Sequence, residues 1–432
     1  MPRLYIFITH SIASIGGAQF YFAAKAAWLS SAHDADARTP WTPVFLTADD
    51  SGRIAVPGLA EHPSLCFPML AAPPAALSTA GIRRFSAEMA GRIRSLFPTT
   101  AEDDDIIIES TTPRLALWGE LLAQKLKARH LIYILNENIS PLSPSEYPFF
   151  SFKLRRGELY GITPATIPAM LPEADPSLTC LRAAGNAINP HADIPDSLLP
   201  GMSRLDASAA MTIITAGRFE KPYVIPLFEA VARFCRRNPE TTINFIVVGD
   251  VDNPRRRSSM LKILDIPNLH LLHTGYLYPI PQRLFDISDL FIGAAGCAIV
   301  ARDAGVRTLT LDADDCMAIG FLGETTCNEV HRSADEPPLP VEDILADSLR
   351  DIKHLRSRRT APRPAPEPDF SAHARIISRL LANTSAWHDT SAIRHGDRRE
   401  RLQIMLRRIG GTHLLRLARH ISSLFFFANF KF

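Results

Sequence analysis

The stretch TIITAGRFEK at residues 212–221 decides which fold the sequence predicts. Its first five residues are β-branched or apolar and predict a strand, whereas the glycine and the charged residues after them predict a loop. An apolar helical stretch follows, and then the strand FIVV at 245–248, closed by a Gly-Asp pair. A strand, a helix and a second strand in this order form a βαβ unit, which binds ligands where its first strand ends. Arg218 and Lys221 follow that strand end, and two cations there suit a diphosphate.

The chain beyond this unit repeats the alternation of short apolar strands with helices. We expect strands at residues 212–216, 243–248, 269–273, 290–292 and 307–311, with helices at about 226–236, 256–264, 282–285 and 297–304 between them. Such alternation predicts a parallel sheet covered by helices. Asp250 and Asp312 follow two of these strands, and strand ends of this kind are expected to face a ligand cleft.

The first half of the chain has the same organisation. We expect strands at residues 4–8, 43–46, 106–108, 131–135 and 159–162, with helices at 18–29, 82–96 and 115–127. The proline-bearing segment 189–209 breaks the pattern and is the expected interdomain linker. The sequence therefore predicts an α/β protein with two Rossmann-like domains, each built on a parallel sheet, that face a central cleft.

Length and composition agree with two domains. A chain of 432 residues with 46% hydrophobic composition can bury two cores. We expect the N-terminal domain over residues 1–195 and the C-terminal domain over 205–350. A Pro-rich tether is expected over 351–370, and a helical, basic and amphipathic tail over 371–432.

Several classes of protein are disfavoured by the same numbers. The formal net charge of +2 argues against a general nucleic-acid coat, and no nucleic-acid partner is expected. The six cysteines form no Cys-x-x-Cys pair, so neither a zinc ribbon nor a disulfide framework is indicated, and a cytoplasmic protein is expected. The first apolar run is too short for a signal peptide, and no apolar stretch is long enough to span a bilayer. Any membrane contact is expected to be peripheral.

A glycine pair follows the first predicted strand. Gly16 and Gly17 open an alanine-rich helix over residues 18–29. Glycines at such a turn let the backbone approach a phosphate, and the helix N-terminus adds partial positive charge. A tight turn with no ligand explains the same two glycines equally well.

Four motifs, in order along the chain, resemble those of GT-B glycosyltransferases, especially the large retaining group that builds bacterial lipopolysaccharide and capsular glycans. The motifs are SIGGAQ at 14–19, AGRFEK at 216–221, VVGD at 247–250 and NLHLLHTGY at 268–276. The resemblance covers roughly residues 1–345. It implies a nucleotide-sugar donor in the C-terminal domain and a glycan or glycolipid acceptor in the N-terminal domain. It also implies donor contacts from Arg218, Lys221, Gly249 and Tyr276.

The sequence departs from that group at two positions. The group usually carries two glutamates, eight residues apart, before a helix that ends in a glycine. When the comparison is anchored on Gly305, Ile292 and Val300 occupy those places. The N–H groups at the start of a helix still suit a phosphate, and those of Gly296, Cys297 and Ala298 are the candidates here. In the loop after the strand 307–311, three residues are candidate substitutes in donor recognition, namely Glu324, Thr325 and Thr326.

Two residues of the N-terminal domain are candidates for catalysis. Glu137 follows a predicted strand, and a carboxylate near the sugar would stabilise an oxocarbenium-like centre. His10 follows the first strand and is placed to accept a proton from an acceptor hydroxyl. The structural alternatives are a surface turn for Glu137 and a capping or packing role for His10. The resemblance implies no bound metal and no cofactor.

The C-terminal tail carries a separate signal. Seven arginines between residues 398 and 419 interleave with apolar residues, and five phenylalanines lie within 425–432. A basic amphipathic helix with terminal aromatics suits an anionic membrane surface, where each basic side chain contributes about 1 kcal/mol. The alternative is a helix that packs on the protein itself or on a partner chain. The predicted location is the cytoplasm, at the inner face of the cell membrane.

The resemblance implies a glycosyltransferase, but a second function stays open. A protein that keeps the two-domain frame without catalysis would serve as a membrane-bound scaffold or partner of an active transferase. The missing glutamate pair favours this alternative, whereas Arg218 and Lys221 favour a donor site.

Overall fold

The computed structural model describes most of the chain in two compact units. The described residues are 3–31, 40–54, 56–97, 105–136, 141–181, 191–192, 201–251, 253–363, 369–390 and 393. The first unit comprises Met1–Ser14, Tyr21–Ala183 and Asp369–Phe432, and the second comprises Ile15–Phe20 and Ala184–Pro368.

The first unit is built on a six-stranded sheet with every strand pair parallel. Its elements are β1 (Arg3–Thr9), α1 (Gly17–Ser30), β2 (Trp41–Thr47), β3 (Ser64–Cys66), α2 (Thr79–Leu96), β4 (Ile106–Ser110), α3 (Pro113–Leu126), β5 (Arg129–Ile134), α4 (Tyr147–Arg155), β6 (Leu159–Gly161), α5 (Thr166–Met170) and α6 (Pro176–Thr179). The strand order is β3-β2-β1-β4-β5-β6.

Strand β1 is buried on both faces, as expected of a central parallel strand. Leu4, Ile6 and Ile8 belong to the core cluster that contains the inner faces of α2 and α3. Phe7 points to the other face, where its ring centroid lies 5.4 Å from that of Phe22 on α1. Thr112 caps α3 by accepting a hydrogen bond from the Leu115 N–H, with a proline at the first helical position.

The second unit is built on another six-stranded sheet, in the order β10-β9-β8-β12-β13-β14. Its elements are β7 (His191–Ala192), β8 (Met211–Ala216), α7 (Val224–Arg237), β9 (Ile243–Val248), α8 (Pro254–Leu261), β10 (Leu269–Gly275), β11 (Ile280–Pro281), α9 (Gln282–Asp286), β12 (Leu290–Gly293), α10 (Ala295–Asp303), β13 (Thr308–Leu311), β14 (Ala318–Phe321), α11 (Val341–Arg350) and α12 (Ile352–Ser357). Strand β14 pairs antiparallel with β13, and the other pairs in this sheet are parallel. Strands β7 and β11 form a separate parallel pair.

Two sheets of this kind confirm the predicted α/β fold with two Rossmann-like domains. The core of the second unit forms on both faces of its sheet, as alternation along β8 requires. Ile213 belongs to the core cluster that contains α7, whereas Ile214 belongs to the cluster that contains α10.

The predicted tether over 351–370 is partly folded onto the second unit. The Arg356 guanidinium binds Asp289 at 2.8 Å, and Asp289 in turn accepts a hydrogen bond from the Thr212 N–H. The Thr360 N–H donates to the Gly305 carbonyl at 3.2 Å, so the chain beyond α12 stays against the end of α10. Residues 364–368 lie outside the described part.

Helix α13 (Ser371–Ala382) returns to the first unit. The Arg129 guanidinium donates to the Leu381 carbonyl at 2.9 Å, and the Trp387 indole donates to the Ala128 carbonyl at 2.9 Å. Residues 369–390 are therefore an integral part of this unit. This arrangement differs from the predicted separate tail that begins at residue 371. The basic stretch 398–432 lies outside the described residues.

A buried charge pair and its hydrogen-bond partners join four elements of the first unit, namely β1, α1, β4 and α13. The Lys25 ammonium lies 2.5 Å from a carboxylate oxygen of Glu109, and both side chains are fully buried. The Tyr5 and Tyr21 hydroxyls donate to Glu109 at 2.5 and 2.8 Å. Lys25 also lies 3.2 Å from Nδ1 of His373 on α13. Charges this deeply buried persist only when they are paired and hydrogen-bonded, as they are here.

Within the described residues, no helix combines the length and the apolar character needed to cross a bilayer.

Candidate functional site

Two loops meet where strands β8 and β12 of the second unit end. These strands are parallel neighbours, with Ile213 opposite Leu290. A Cβ built on Gly293, the last residue of β12, would lie 3.8 Å from the carbonyl oxygen of Ala216, the last residue of β8. The loop after β8 and the turn after β12 therefore lie side by side, at the sheet edge where parallel α/β sheets bind ligands.

The loop after β8 is held in place by its backbone and by one buried ring. The Gly217 N–H donates to the Val248 carbonyl at 2.9 Å, and the Phe219 N–H donates to the Asp250 carbonyl at 3.0 Å. The Phe219 side chain is buried. Arg218 is exposed and Lys221 is half-buried, so the loop presents its two predicted cations while its apolar residue packs inward.

The turn after β12 begins helix α10. Ala294 is the N-cap residue and supplies no side-chain hydrogen bond to the helix. Ala295 adopts a left-handed backbone with φ of 56°, and its N–H donates to the Glu329 carbonyl at 2.8 Å. Gly296 is exposed, with nothing within 4 Å of a built Cβ. The first N–H groups of a helix have no intrahelical acceptor and carry partial positive charge, which suits an anion.

Lys221 acts electrostatically on Cys297 in the first turn of α10. Burial raises the pKa of the Cys297 thiol to about 11, while the Lys221 ammonium opposes this rise by favouring the thiolate. Because such an effect requires proximity, Lys221 lies near the helix N-terminus. The structure thus brings together the predicted donor contacts Lys221, Gly296, Cys297 and Ala298.

The predicted glycine loop also contributes to this unit through residues 15–20. A Cβ built on Gly16 would lie 3.9 Å from Nε of Arg218. Gly17 begins α1 and has no atom within 4 Å of a built Cβ. Gly16 is therefore a neighbour of the Arg218 guanidinium, whereas the space around Gly17 is open.

Gly249 and Tyr276 follow the next strands of the sheet. Gly249 has a φ of 135°, and its N–H donates to the Gly275 carbonyl at 2.9 Å. A Cβ on Gly249 would lie 1.9 Å from the Gly217 carbonyl oxygen, so only glycine fits beside the β8 loop. Tyr276 is 38% exposed directly after β10. Its donor contact remains a prediction.

The predicted substitutes Glu324, Thr325 and Thr326 all have hydrogen-bond partners within the second unit. The Arg307 guanidinium binds both Glu324 oxygens at 3.0 to 3.2 Å, and it also stacks over the Phe321 ring. The Thr325 hydroxyl accepts from the Phe321 N–H at 2.8 Å, and the Thr326 hydroxyl donates to Glu336 at 2.5 Å. These contacts stabilise the turn after β14, and donor binding by the three residues stays a prediction.

The positions of the two missing glutamates are part of the apolar core. Ile292 is fully buried in the cluster on the α7 face of the sheet, and Val300 is 3% exposed in the cluster on the α10 face. A carboxylate at either place would be desolvated by apolar neighbours. The absence of the pair is therefore accommodated by the packing of this unit.

The two catalytic candidates belong to the first unit. His10 directly follows β1, and its pKa is lowered, first because nearby protein atoms desolvate it and then because the Arg114 guanidinium repels its charged form. A neutral imidazole at neutral pH is what a general base requires. Glu137 lies outside the described residues.

Sequence reasoning missed a cluster at the end of β13. Asp312 and Asp314 form an Asp-x-Asp pattern, and His331 lies beside them, with its Nδ1 3.3 Å from an oxygen of Asp314. One ligand atom from each of the three side chains lies within 4.8 Å of the others. The pattern was visible in the sequence, but the contribution of His331 depends on a loop that returns to it.

A second grouping resembles a catalytic triad and is excluded by burial. The Ser110 hydroxyl lies 2.9 Å from Nε2 of His130, whose Nδ1 lies 2.7 Å from a Glu120 oxygen. All three side chains are buried, and a Cβ on Gly119 would lie 2.2 Å from the Ser110 hydroxyl. A substrate cannot reach this serine, so the grouping is a core hydrogen-bond network.

The chain was compared with known proteins. No protein-family model and no curated protein sequence matches it. Its structure is similar to that of a glycosyltransferase from Rickettsia africae, with a TM-score of 0.54, 13% identity, and coverage of 93% of this chain and 97% of the other. It is also similar to Anabaena HepE in complex with UDP and glucose, with a TM-score of 0.52, 15% identity, and coverage of 90% and 96%.

A third solved structure is the UDP-GlcNAc 2-epimerase from Neisseria meningitidis bound to UDP-GlcNAc, with a TM-score of 0.46, 15% identity, and coverage of 89% of this chain and 100% of the other. The similarities to the Rickettsia africae protein and to HepE, together with the two sheets, show that this chain has the GT-B fold.

Proposed function

We propose that this protein is a glycosyltransferase that moves a sugar from a nucleotide-sugar donor to a glycan or glycolipid acceptor. The diphosphate of the donor lies against Arg218, Lys221 and the first turn of α10. The acceptor is bound by the first unit, and the product belongs to a bacterial cell-surface glycan such as lipopolysaccharide or capsule.

One observation carries the proposal, namely that the β8 loop and the α10 N-terminus meet at the carboxyl edge of one sheet. Gly293 lies beside the Ala216 carbonyl, and Lys221 influences the thiol of Cys297. The loop that carries the two cations and the first turn of α10 are thus neighbours. This combination suits a diphosphate better than either element does alone.

The chemistry of glycosyl transfer gives these groups a role beyond binding. When the bond between the sugar and the diphosphate breaks, negative charge develops on the departing oxygen. Cations and N–H groups already fixed at that place stabilise the transition state without reorganising. HepE, which shares the fold, was crystallised with UDP and glucose, and this supports a nucleotide sugar as the donor class.

The proposed cellular setting follows from the sequence of the tail. Residues 398–432 combine arginines with apolar and aromatic residues, which suits an anionic membrane surface. We infer a cytoplasmic protein that reaches a membrane-anchored acceptor through peripheral contact of this segment.

The alternative of a non-catalytic scaffold rests on Ile292 and Val300. Their burial in the core shows that this unit is packed without the glutamates that related transferases use. In that case the diphosphate site would be vestigial, and the protein would act as a membrane partner of another transferase.

Nucleotide binding tests the proposal directly. The thermal midpoint of the full chain is measured with a panel of nucleoside diphosphates, and at least one is expected to raise it. Arg218→Ala combined with Lys221→Ala should weaken that nucleotide by roughly 100-fold, since each charged hydrogen bond contributes about 1.5–3 kcal/mol.

A matched control removes two other cations at the same spacing. Arg350 and Lys353 are exposed and lie three residues apart on the surface of the second unit, and their replacement by alanine should leave nucleotide affinity unchanged. Stabilisation by none of the nucleotides would favour the scaffold. Binding without turnover of any nucleotide sugar, with acceptor lipids supplied, would favour it as well.

A further inference from the structure

We propose that Asp312, Asp314 and His331 bind a divalent transition-metal ion. The three side chains come from the end of β13 and from the loop that returns beside it. One ligand atom from each lies within 4.8 Å of the others, which is the spacing of ligands around a single ion. Asp312 is 4% exposed, whereas Asp314 and His331 are open to solvent, so an ion can enter from outside.

The backbone holds the buried carboxylate in place. One Asp312 oxygen accepts the Asp314 N–H at 2.8 Å and the Asp315 N–H at 3.4 Å, and the other accepts the Arg332 N–H at 2.8 Å. Each carboxylate oxygen has two lone pairs, so the oxygen with two hydrogen bonds is filled, whereas the oxygen bound by the Arg332 N–H keeps one lone pair for an ion. Asp312 is therefore a pre-positioned ligand rather than one that has to be ordered on binding.

Local charge favours a cation at this place. Asp312, Asp314 and Asp315 are three carboxylates within four residues, and the Arg332 guanidinium is bound to Asp315. Two carboxylates whose oxygens approach within 4.8 Å repel each other unless positive charge lies between them. A divalent ion supplies that charge and converts the repulsion into shared coordination.

The ligand types select the kind of ion. An imidazole nitrogen with two carboxylate oxygens suits Mn²⁺, Fe²⁺, Co²⁺ or Zn²⁺, whereas Ca²⁺ and Mg²⁺ prefer oxygen ligands throughout. Three protein ligands leave at least one coordination position open. Such a site can bind a further group, as a site closed by four ligands cannot.

The cluster lies at the sheet edge of the diphosphate site. The Ala313 N–H donates to the Val330 carbonyl at 2.9 Å, and the Ala295 N–H donates to the Glu329 carbonyl at 2.8 Å. The loop that carries His331 therefore connects the end of β13 with the first turn of α10. Since β8, β12 and β13 are adjacent strands about 4.8 Å apart, the cluster lies roughly 10 Å from the β8 loop.

This placement deepens the function proposed above and rests on it. The open positions of the ion are suited to oxygens of a donor diphosphate, whose charge Arg218 and Lys221 share from the other side. The ion would thus add positive charge beside the diphosphate, and it would bind more tightly in the presence of the nucleotide.

The competing explanation is an ordinary surface ion pair between Asp314 and a protonated His331. An ion pair needs no metal, and the two explanations predict different results in a titration with metal alone. Mn²⁺ is added to the full chain, and the free aquated ion is measured by electron paramagnetic resonance. We expect one Mn²⁺ bound per chain and displacement by Zn²⁺, which binds such ligands more tightly.

Two ligand variants and two controls locate the ion. Asp314→Asn and His331→Gln each replace an exposed side chain, and each should weaken Mn²⁺ at least about tenfold. Asp265→Asn and His354→Gln remove an exposed carboxylate and an exposed imidazole elsewhere in the second unit, and they should leave the affinity unchanged. Circular dichroism verifies that all four variants are folded.

Absence of stoichiometric Mn²⁺ binding, or binding that neither ligand variant weakens, would overturn the metal site. Because this titration contains no nucleotide, its failure would leave the diphosphate proposal untouched. Conversely, the Arg218→Ala, Lys221→Ala double variant should still bind Mn²⁺ while losing the nucleotide. Loss of Mn²⁺ from that variant would also contradict the assignment of the ion to Asp312, Asp314 and His331.

Discussion

A Cβ on Gly249 would lie 1.9 Å from the carbonyl oxygen of Gly217. Gly249 directly follows β9, and Gly217 directly follows β8. Their backbones are in contact at the sheet edge where the diphosphate is proposed to bind. Gly249 also has a φ of 135°, which L side chains rarely adopt. The position of the Arg218 loop therefore depends on the absence of a side chain one strand away.

Replacing Gly249 by alanine should destabilise the protein and displace the β8 loop. The methyl group collides with backbone atoms, so we expect a loss of about 2–5 kcal/mol in the free energy of unfolding, measured with urea. Gly91 in the middle of α2 has open space around it, and Gly91→Ala should instead stabilise by about 0.5–1 kcal/mol. Equal effects of the two substitutions would contradict the argument.

Replacing only one member of the buried pair Lys25 and Glu109 should strongly destabilise the protein. Glu109→Gln leaves the fully buried ammonium without a countercharge, and we expect a loss of about 3–5 kcal/mol in unfolding experiments. The double variant Lys25→Met, Glu109→Leu removes both charges, so it should be less destabilised than the sum of the single variants. Additive losses would show that the two residues act independently.

The tyrosines around Glu109 should make the fold sensitive to alkali. Burial, and then the charge of Glu109, raises the pKa of Tyr5, Tyr21 and Tyr133 well above the ordinary value of 10.0. The unfolded chain loses these protons first, so the stability that they contribute is complete below pH 10 and decreases as the pH rises above it.

Absorbance of tyrosinate at alkaline pH, recorded together with circular dichroism, measures this effect. We expect a group of tyrosines to ionise only as the helical signal disappears, and Tyr5→Phe to remove one tyrosine from that step. Ionisation of all tyrosines before any loss of helical signal would contradict the predicted shift.

Cys297 should react slowly with alkylating reagents. With a pKa of about 11, roughly one thiol in a thousand is ionised at pH 8, and the thiolate is the reactive form. Since the Lys221 ammonium favours the thiolate, Lys221→Ala should raise the pKa and slow the reaction further. Mass spectrometry follows the site, with exposed Cys327 as the internal reference. Faster modification of Cys297 in the variant would place Lys221 away from α10.

Most strands of both sheets were predictable from the sequence. The segments 212–216, 243–248 and 290–292 are rich in apolar and β-branched residues and are each followed by glycine, and each matches a strand of the second unit to within one residue. Buried parallel strands have this pattern because both of their faces are covered. Strand β14 was not predicted, since its four residues lie in a loop-like stretch and become a strand only by pairing with β13.

The C-terminal segment shows where local patterns are insufficient. Its arginines and prolines predict a tether and a separate tail, yet Arg356 binds Asp289 and α13 packs into the first unit. His373 contacts Lys25 across 348 positions of sequence. Contacts at such separation leave no periodic signal in either segment, because each partner is an ordinary residue in its own surroundings.

The residues of the candidate site also fall into two groups, those that the sequence could identify and those that only the fold brings together. Arg218 and Lys221 could be identified from a strand followed by a basic loop, and the glycines beside them from their turns. The pairing of Glu324 with Arg307 follows from the antiparallel return of β14 along β13, and the approach of His331 to Asp314 depends on a loop that folds back to the end of β13. A sequence motif specifies which side chains leave one strand end, but it does not specify which other loop arrives there.

By itself the sequence determined most of the parallel strands of the two sheets, their order along the chain and the cations after β8, because hydrophobic periodicity and turn residues act over a few positions. The tertiary structure alone decided that Ile292 and Val300 are core residues and that α13 completes the first unit. It alone brought Asp312, Asp314 and His331 together. These are results of packing between distant segments, where burial and charge balance depend on the neighbours that the whole fold supplies.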